Sequence, residues 1–92
     1  MPVTFKIDNE MRQFTDGVGT VPVSGGTVAA AVGDLAAQHP KLQSRLYNAA
    51  GKLNPFVMVL VNDEDVRTFD DEWETAVKET DVLELLPPTS GG

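Results

Sequence analysis

Between Val28 and Gln38 the sequence carries one apolar stripe, at Val28, Ala31, Val32, Leu35 and Ala36, spaced i, i+3, i+4, i+7 and i+8. A helix with a single apolar face needs one matching surface to bury it. The longer apolar runs around it read as strands, so the chain is expected to fold as one sheet against one main helix. Local signals bound that helix. Ser24-Gly25-Gly26 breaks the preceding segment, Thr27 is a good N-cap, and Pro40 stops or interrupts the helix. Leu42 and Leu46 then suggest one more helical turn before Asn48 to Gly51 release the chain into a loop.

The strands are read by their period. Val3, Phe5 and Ile7 alternate with Thr4, Lys6 and Asp8, giving a first strand with one buried face. Asp16-Gly17-Val18-Gly19 is turn-like, and Thr20-Val21-Pro22-Val23 follows as a second strand, antiparallel to the first, with Pro22 pointing to an edge or a bulge. Arg12 to Thr15 belongs to that strand or to the turn. Phe56-Val57-Met58-Val59-Leu60-Val61 is an uninterrupted apolar strand after Pro55; Val57, Val59 and Val61 are placed inward and Phe56, Met58 and Leu60 outward. Asn62 to Asp65 is a turn leading to a short strand near Val66 to Phe69. Trp73, Ala76 and Val77 fall in a short helix or loop, with Trp73 plugging the core. Thr80-Asp81 turns into the last strand, Val82 to Leu86, where Leu83 and Leu85 face the helix and Leu86 the open side of the sheet.

Composition narrows the function classes. Ninety-two residues suffice for one modest core. The division expected is a folded unit over residues 1–86 and a projecting tail over 87–92. The longest apolar run is far too short to cross a bilayer, and no basic stretch precedes an apolar one at the N-terminus, so a cytoplasmic protein without membrane contact is expected. No cysteine is present, so any sulfur chemistry must be borrowed. A net charge of -7 argues against nucleic acid and for a basic protein surface as partner. His39 has no neighbouring partners and makes neither a metal site nor a catalytic triad. The carboxylates of Asp63, Glu64 and Asp65 lack the spacing of a calcium loop, so no metal site is assigned.

The sequence closes in Pro87-Pro88-Thr89-Ser90-Gly91-Gly92. Prolines end a strand and hold the preceding residue extended, so they launch a stiff tail; six residues reach roughly 20 Å. Gly91 and Gly92 lack a Cβ, which lets them thread a narrow channel and leaves the terminal carbonyl open to attack. Two final glycines occur by chance in roughly one chain in 200, so they inform only together with the fold ahead of them.

Strand, strand, helix, long apolar strand, short strand, turn, final strand and tail: this order resembles the β-grasp, the ubiquitin-like α+β fold in which a mixed sheet wraps one helix. With Val61-Asn62-Asp63, the strand Val82 to Leu86 and Gly91-Gly92, the chain resembles the MoaD/ThiS family of bacterial sulfur carriers over nearly its whole length. Gly51-Lys52-Leu53 and Val61-Asn62-Asp63-Glu64-Asp65-Val66-Arg67 are most similar to the CysO-type carriers of the cysteine route that uses an activated serine. The two prolines before Thr89 depart from the commoner tails of the family and leave the acceptor enzyme open.

The resemblance implies a cycle at Gly92. An E1-like enzyme using ATP and Mg²⁺ adenylates the terminal carboxylate, a sulfur donor displaces AMP, and Gly92 carries a thiocarboxylate to an acceptor enzyme. Thr89, Ser90 and Gly91 would thread the partner's channel. Phe56, Met58, Leu60 and Leu86 would form the docking patch; a packing contact between copies, or cover by the Arg12 to Thr15 loop, would also suit such a patch. The carrier itself catalyses nothing, binds no cofactor and is expected to be a monomer when free. With Gly92 last, no maturing protease is expected. Molybdopterin, thiamine, methionine and specialised-metabolite routes use carriers of the same shape. Two other readings stand beside it: a ubiquitin-like modifier joined through Gly92 to lysines, and a passive ubiquitin-like interaction domain.

Overall fold

In the computed structural model of the chain, which describes residues 2–54 and 56–87, five strands form one mixed sheet in the order β2-β1-β5-β3-β4. Strand β1 (Val3–Ile7) pairs antiparallel with β2 (Thr20–Val23), Phe5 lying opposite Val21. The sequence places β5 (Val82–Leu86) last, yet it lies at the centre, parallel to β1 and antiparallel to β3 (Met58–Val61). Two-residue β4 (Glu64–Asp65) closes the far edge against β3. Helix α1 (Val28–Gln38) covers one face. This is the β-grasp arrangement.

The expected helix forms for the expected reasons. The Thr27 hydroxyl accepts the Ala30 N–H at 3.1 Å, satisfying one of the four donors a helix start leaves open. All five stripe residues are buried, against Val3, Phe5, Ile7, Val59, Leu83 and Leu85 from the sheet. Gly25 makes the tight entry to this helix, because a Cβ there would lie 2.7 Å from the Ala31 nitrogen. A 3-10 turn (Pro40–Leu42) and the one-turn α2 (Gln43–Leu46) follow, burying Leu42 and Leu46.

Three local expectations change. The stretch before β2 is a 3-10 helix over Asn9–Phe14, neither strand nor simple turn: the Asp8 carboxylate accepts the Glu10 N–H at 3.2 Å and Met11 packs into the core. Strand β3 starts at Met58 instead of Phe56, since Asn54 accepts the Phe56 and Val57 N–H groups on its side chain and carbonyl, at 3.0 Å each, and turns the chain there. The short strand beyond the turn is Glu64–Asp65, and Val66–Thr68 is a 3-10 helix, capped where the Asp65 carboxylate accepts the Arg67 N–H at 2.9 Å. Asn62 and Asp63 both have positive φ (50° and 70°), as a two-residue turn between right-twisted strands requires. Trp73 sits in another 3-10 turn (Glu72–Glu74), half-buried against the core, with the Arg67 guanidinium 5.9 Å from its ring centroid.

Candidate functional site

The alternation of the strands assigns the two sheet faces. Val57, Val59 and Val61 point to the helix side and are at most 5% exposed, as the sequence predicts. Met58 and Leu60 of β3 and Leu86 of β5 lie on the opposite face, each half-buried, and Phe56 stands out from the turn before β3 with 66% of its surface exposed. Met58 is directly opposite Leu86 in the ladder, so these two form one apolar pair. The structure therefore puts Met58, Leu60 and Leu86 together on the open face, with Phe56 exposed in the turn before β3 and Met58 and Leu86 next to the point where β5 ends.

That point is the root of the tail. Leu85 accepts the Asp8 N–H at 2.9 Å, and the ladder to β3 holds the strand up to Leu86. Pro87 is half-buried and lines a groove with Phe14, Arg45 and Asn54; the Arg45 guanidinium lies 4.7 Å from the Phe14 ring centroid. Thr89, Ser90, Gly91 and Gly92, assigned to threading and to the chemistry, lie with Pro88 outside the described residues.

The structure adds residues that the sequence reading left off this face. One row crosses the sheet through Asp65, Leu60, Glu84, Lys6 and Thr20, each the ladder partner of the next. A second contains Val82, Thr4 and Pro22, with Val82 38% exposed. The period-2 reading of β5 already implied that Val82 and Glu84 share the side of Leu86. Only the pairing of β5 with β1 and β3 could bring Lys6 and Asp65 alongside.

The charges are lopsided. Residues 62–84 hold ten of the chain's fourteen acidic side chains and only Arg67 and Lys78 as basic ones. At the end of this region Asn62 and Asp81 lock the turn to the start of β5. The Asn62 amide donates to the Asp81 carboxylate at 3.0 Å and its oxygen accepts the Val82 N–H at 3.0 Å, while Asp81 also accepts the Lys78 N–H at 2.9 Å. The Asn62 hydrogen bond foremost, then the Lys78 backbone N–H, holds the Asp81 carboxyl below the ordinary 3.8 of an aspartate. Among the described residues no group of three or more His, Asp or Glu side chains is arranged to hold a metal ion, and no helix is long and apolar enough to cross a membrane.

An exposed apolar end beside a strand terminus, with carboxylates on the same sheet face, can bind a protein surface. Comparison with known proteins fits this geometry. The sequence profile of the ThiS family matches residues 6–92. The sulfur carrier protein CysO of Mycobacterium tuberculosis is 39% identical over 94 aligned positions, covering all of both chains. Among solved structures, the Amycolatopsis orientalis BexX/CysO complex contains a chain that superposes with a TM-score of 0.80 at 38% identity, covering 98% of this chain and 99% of that one. SAMP1 from Haloferax volcanii superposes with a TM-score of 0.84 at 30% identity over the full length of both. The fold is the ubiquitin-like β-grasp of these structures, and the chain belongs to the ThiS family.

Proposed function

We propose that this protein is a sulfur carrier whose working group is the Gly92 carboxylate, with the cysteine route as its favoured destination. The observation that carries the proposal is the full-length 39% identity to a protein named as the sulfur carrier CysO. A carboxylate resists attack at neutral pH until one of its oxygens belongs to a good leaving group. In the proposed cycle the Gly92 carboxylate attacks the α-phosphorus of Mg²⁺-bound ATP on an E1-like enzyme, and pyrophosphate leaves. Hydrosulfide then attacks the acyl carbon, AMP leaves and the S–H proton is lost, so sulfur replaces one carboxylate oxygen. The thiocarboxylate is ionised at pH 7 and is a soft nucleophile. Its tether raises its local concentration inside an acceptor enzyme.

In this reading Thr89, Ser90 and Gly91 thread the enzyme's channel, and Phe56, Met58, Leu60 and Leu86 dock on it. The protein is a co-substrate of its partners, catalyses nothing itself, and works in the cytoplasm. The CysO of A. orientalis is seen in complex with BexX, which supports a partner-bound step for this chain too. A second reading, a protein modifier joined through Gly92 to lysines, draws support from the likeness to a small archaeal modifier protein of H. volcanii, TM-score 0.81 at 28% identity.

The deciding measurement is the intact mass of the protein after incubation with ATP, Mg²⁺, an E1-like enzyme and sulfide. The carrier reading expects a gain equal to the difference between sulfur and oxygen, localised to Gly92 and absent after deletion of Gly92. An unchanged mass together with lysine adducts in cell extract would replace the carrier with the modifier.

A further inference from the structure

We infer that the partner enzyme lays an arginine or lysine side chain across Leu60, between the carboxylates of Asp65 and Glu84, and that this contact sets which way round the carrier docks. The inference rests on the sulfur-carrier reading and adds the chemistry of the partner's surface to it. Its basis is the row Asp65-Leu60-Glu84 on the open face. Adjacent strands are about 4.8 Å apart, so the two acidic residues stand roughly 10 Å apart with one apolar side chain between them. That spacing accommodates a flat guanidinium or an extended lysine stem on Leu60, its charge shared by carboxylates on both sides.

Among the described residues neither carboxylate has an ion-pair partner. Lys6 neighbours Glu84 in the ladder, yet among the described residues the one ion pair is Lys41 with Asp16, at 2.8 Å and on a different part of the surface. One Asp65 carboxylate oxygen accepts the Arg67 N–H. The row borders the apolar pair Met58 and Leu86, so a cation bound there sits at the rim of a patch that excludes water. Of the charged residues that the ladder places on the open face, Asp65 and Glu84 lie on the β4–β5 side, and the β1–β2 side presents Lys6 beside Thr20 and Pro22. A partner with an apolar centre and basic groups along one rim is attracted in one orientation and repelled in the reverse one, in which its cations would meet Lys6.

The test uses the full chain and a purified E1-like enzyme that loads it, with affinity and association rate followed at low and moderate salt. Glu84→Lys is expected to weaken binding by at least tenfold and to flatten its salt dependence, Glu84→Gln by about threefold, with the thermal midpoint of each variant recorded. Glu79→Lys makes the same change of charge in the same acidic region but off the row, and is expected to change affinity by less than twofold. Equal losses for Glu84→Lys and Glu79→Lys would reduce the row to general steering and overturn the inference. Should Glu84→Lys fail to fold, Glu84→Gln decides: unchanged affinity and salt dependence overturn it. A self-associated form of the free protein that dissociates on the Glu84→Gln change would assign the row to a second copy of the chain and likewise overturn it. If no thiocarboxylate forms on the wild-type chain, the carrier reading fails and this inference falls with it; normal loading with no effect at Glu84 removes the inference alone.

Discussion

The two faces of the sheet are made by alternate residues of the same strands and have opposite surroundings. On the helix side, Phe5, Val59, Leu83 and Leu85 are fully buried within the apolar core cluster. On the other side, Met58, Leu60, Glu84 and Leu86 are half-buried, and charge is interleaved with apolar surface. Moving one position along β5 thus crosses from the group that stabilises the fold to the group that can be read by a partner. Stability and recognition can therefore vary separately in this chain, although they share a backbone.

Adjacent leucines in β5 give the sharpest test of that separation. Leu85→Ala removes a fully buried side chain and is expected to cost about 2–5 kcal/mol, whereas Leu86→Ala should cost less than about 1 kcal/mol; urea unfolding of both variants measures the contrast. Similar losses would mean the faces are not energetically distinct. Next in size is the helix that creates the covered face. Thr27→Ala leaves the Ala30 N–H without its acceptor and should lower stability by about 1 kcal/mol in the same assay, with no effect on partner affinity.

Phe56→Glu then asks the opposite question. Its exposed ring should contribute within about 0.5 kcal/mol of nothing to folding, while binding to the activating enzyme falls. Unfolding on this change would move Phe56 from the recognition set to the core. The smallest effect concerns Asp81. Its native carboxyl titrates below the ordinary 3.8 because Asn62 and the Lys78 N–H stabilise the charged form; the resulting support is complete above that value and disappears as pH falls through the lower native one. In Asn62→Ala, NMR titration of Asp81 should show its pKa moving up toward 3.8, and the stability curve should lose a little of its acid-side slope.

Much of this arrangement could be read directly from the amino acids. The α1 stripe, the Thr27 cap, the hairpin of β1 with β2 and the inward set Val57, Val59 and Val61 all follow from periodicity and short-range chemistry. What escaped was of two kinds. The 3-10 segments at 9–14 and 66–68 depend on single side-chain acceptors, Asp8 and Asp65, whose caps compete with a weak strand pattern. The membership of the open face depends on strand order. Asp65 and Lys6 are separated from Glu84 by 19 and 78 positions in sequence and meet it only because β5 inserts between β1 and β3. The tail residues assigned to the chemistry lie outside the described structure, so that assignment rests on sequence and on the relatives.

The central place of β5 also has a mechanical consequence. A tug on Pro87 directed away from the sheet, resisted at the start of β1, pulls two parallel neighbours along their length in opposite directions. Bonds that run across the pull share the load and must give way together, whereas the outer hairpin of β3 with β4 could open one link at a time. A pull on this end of the protein thus meets the sheet in its stiffest loading geometry, and the fold behaves as a handle that is hard to unravel from its last strand.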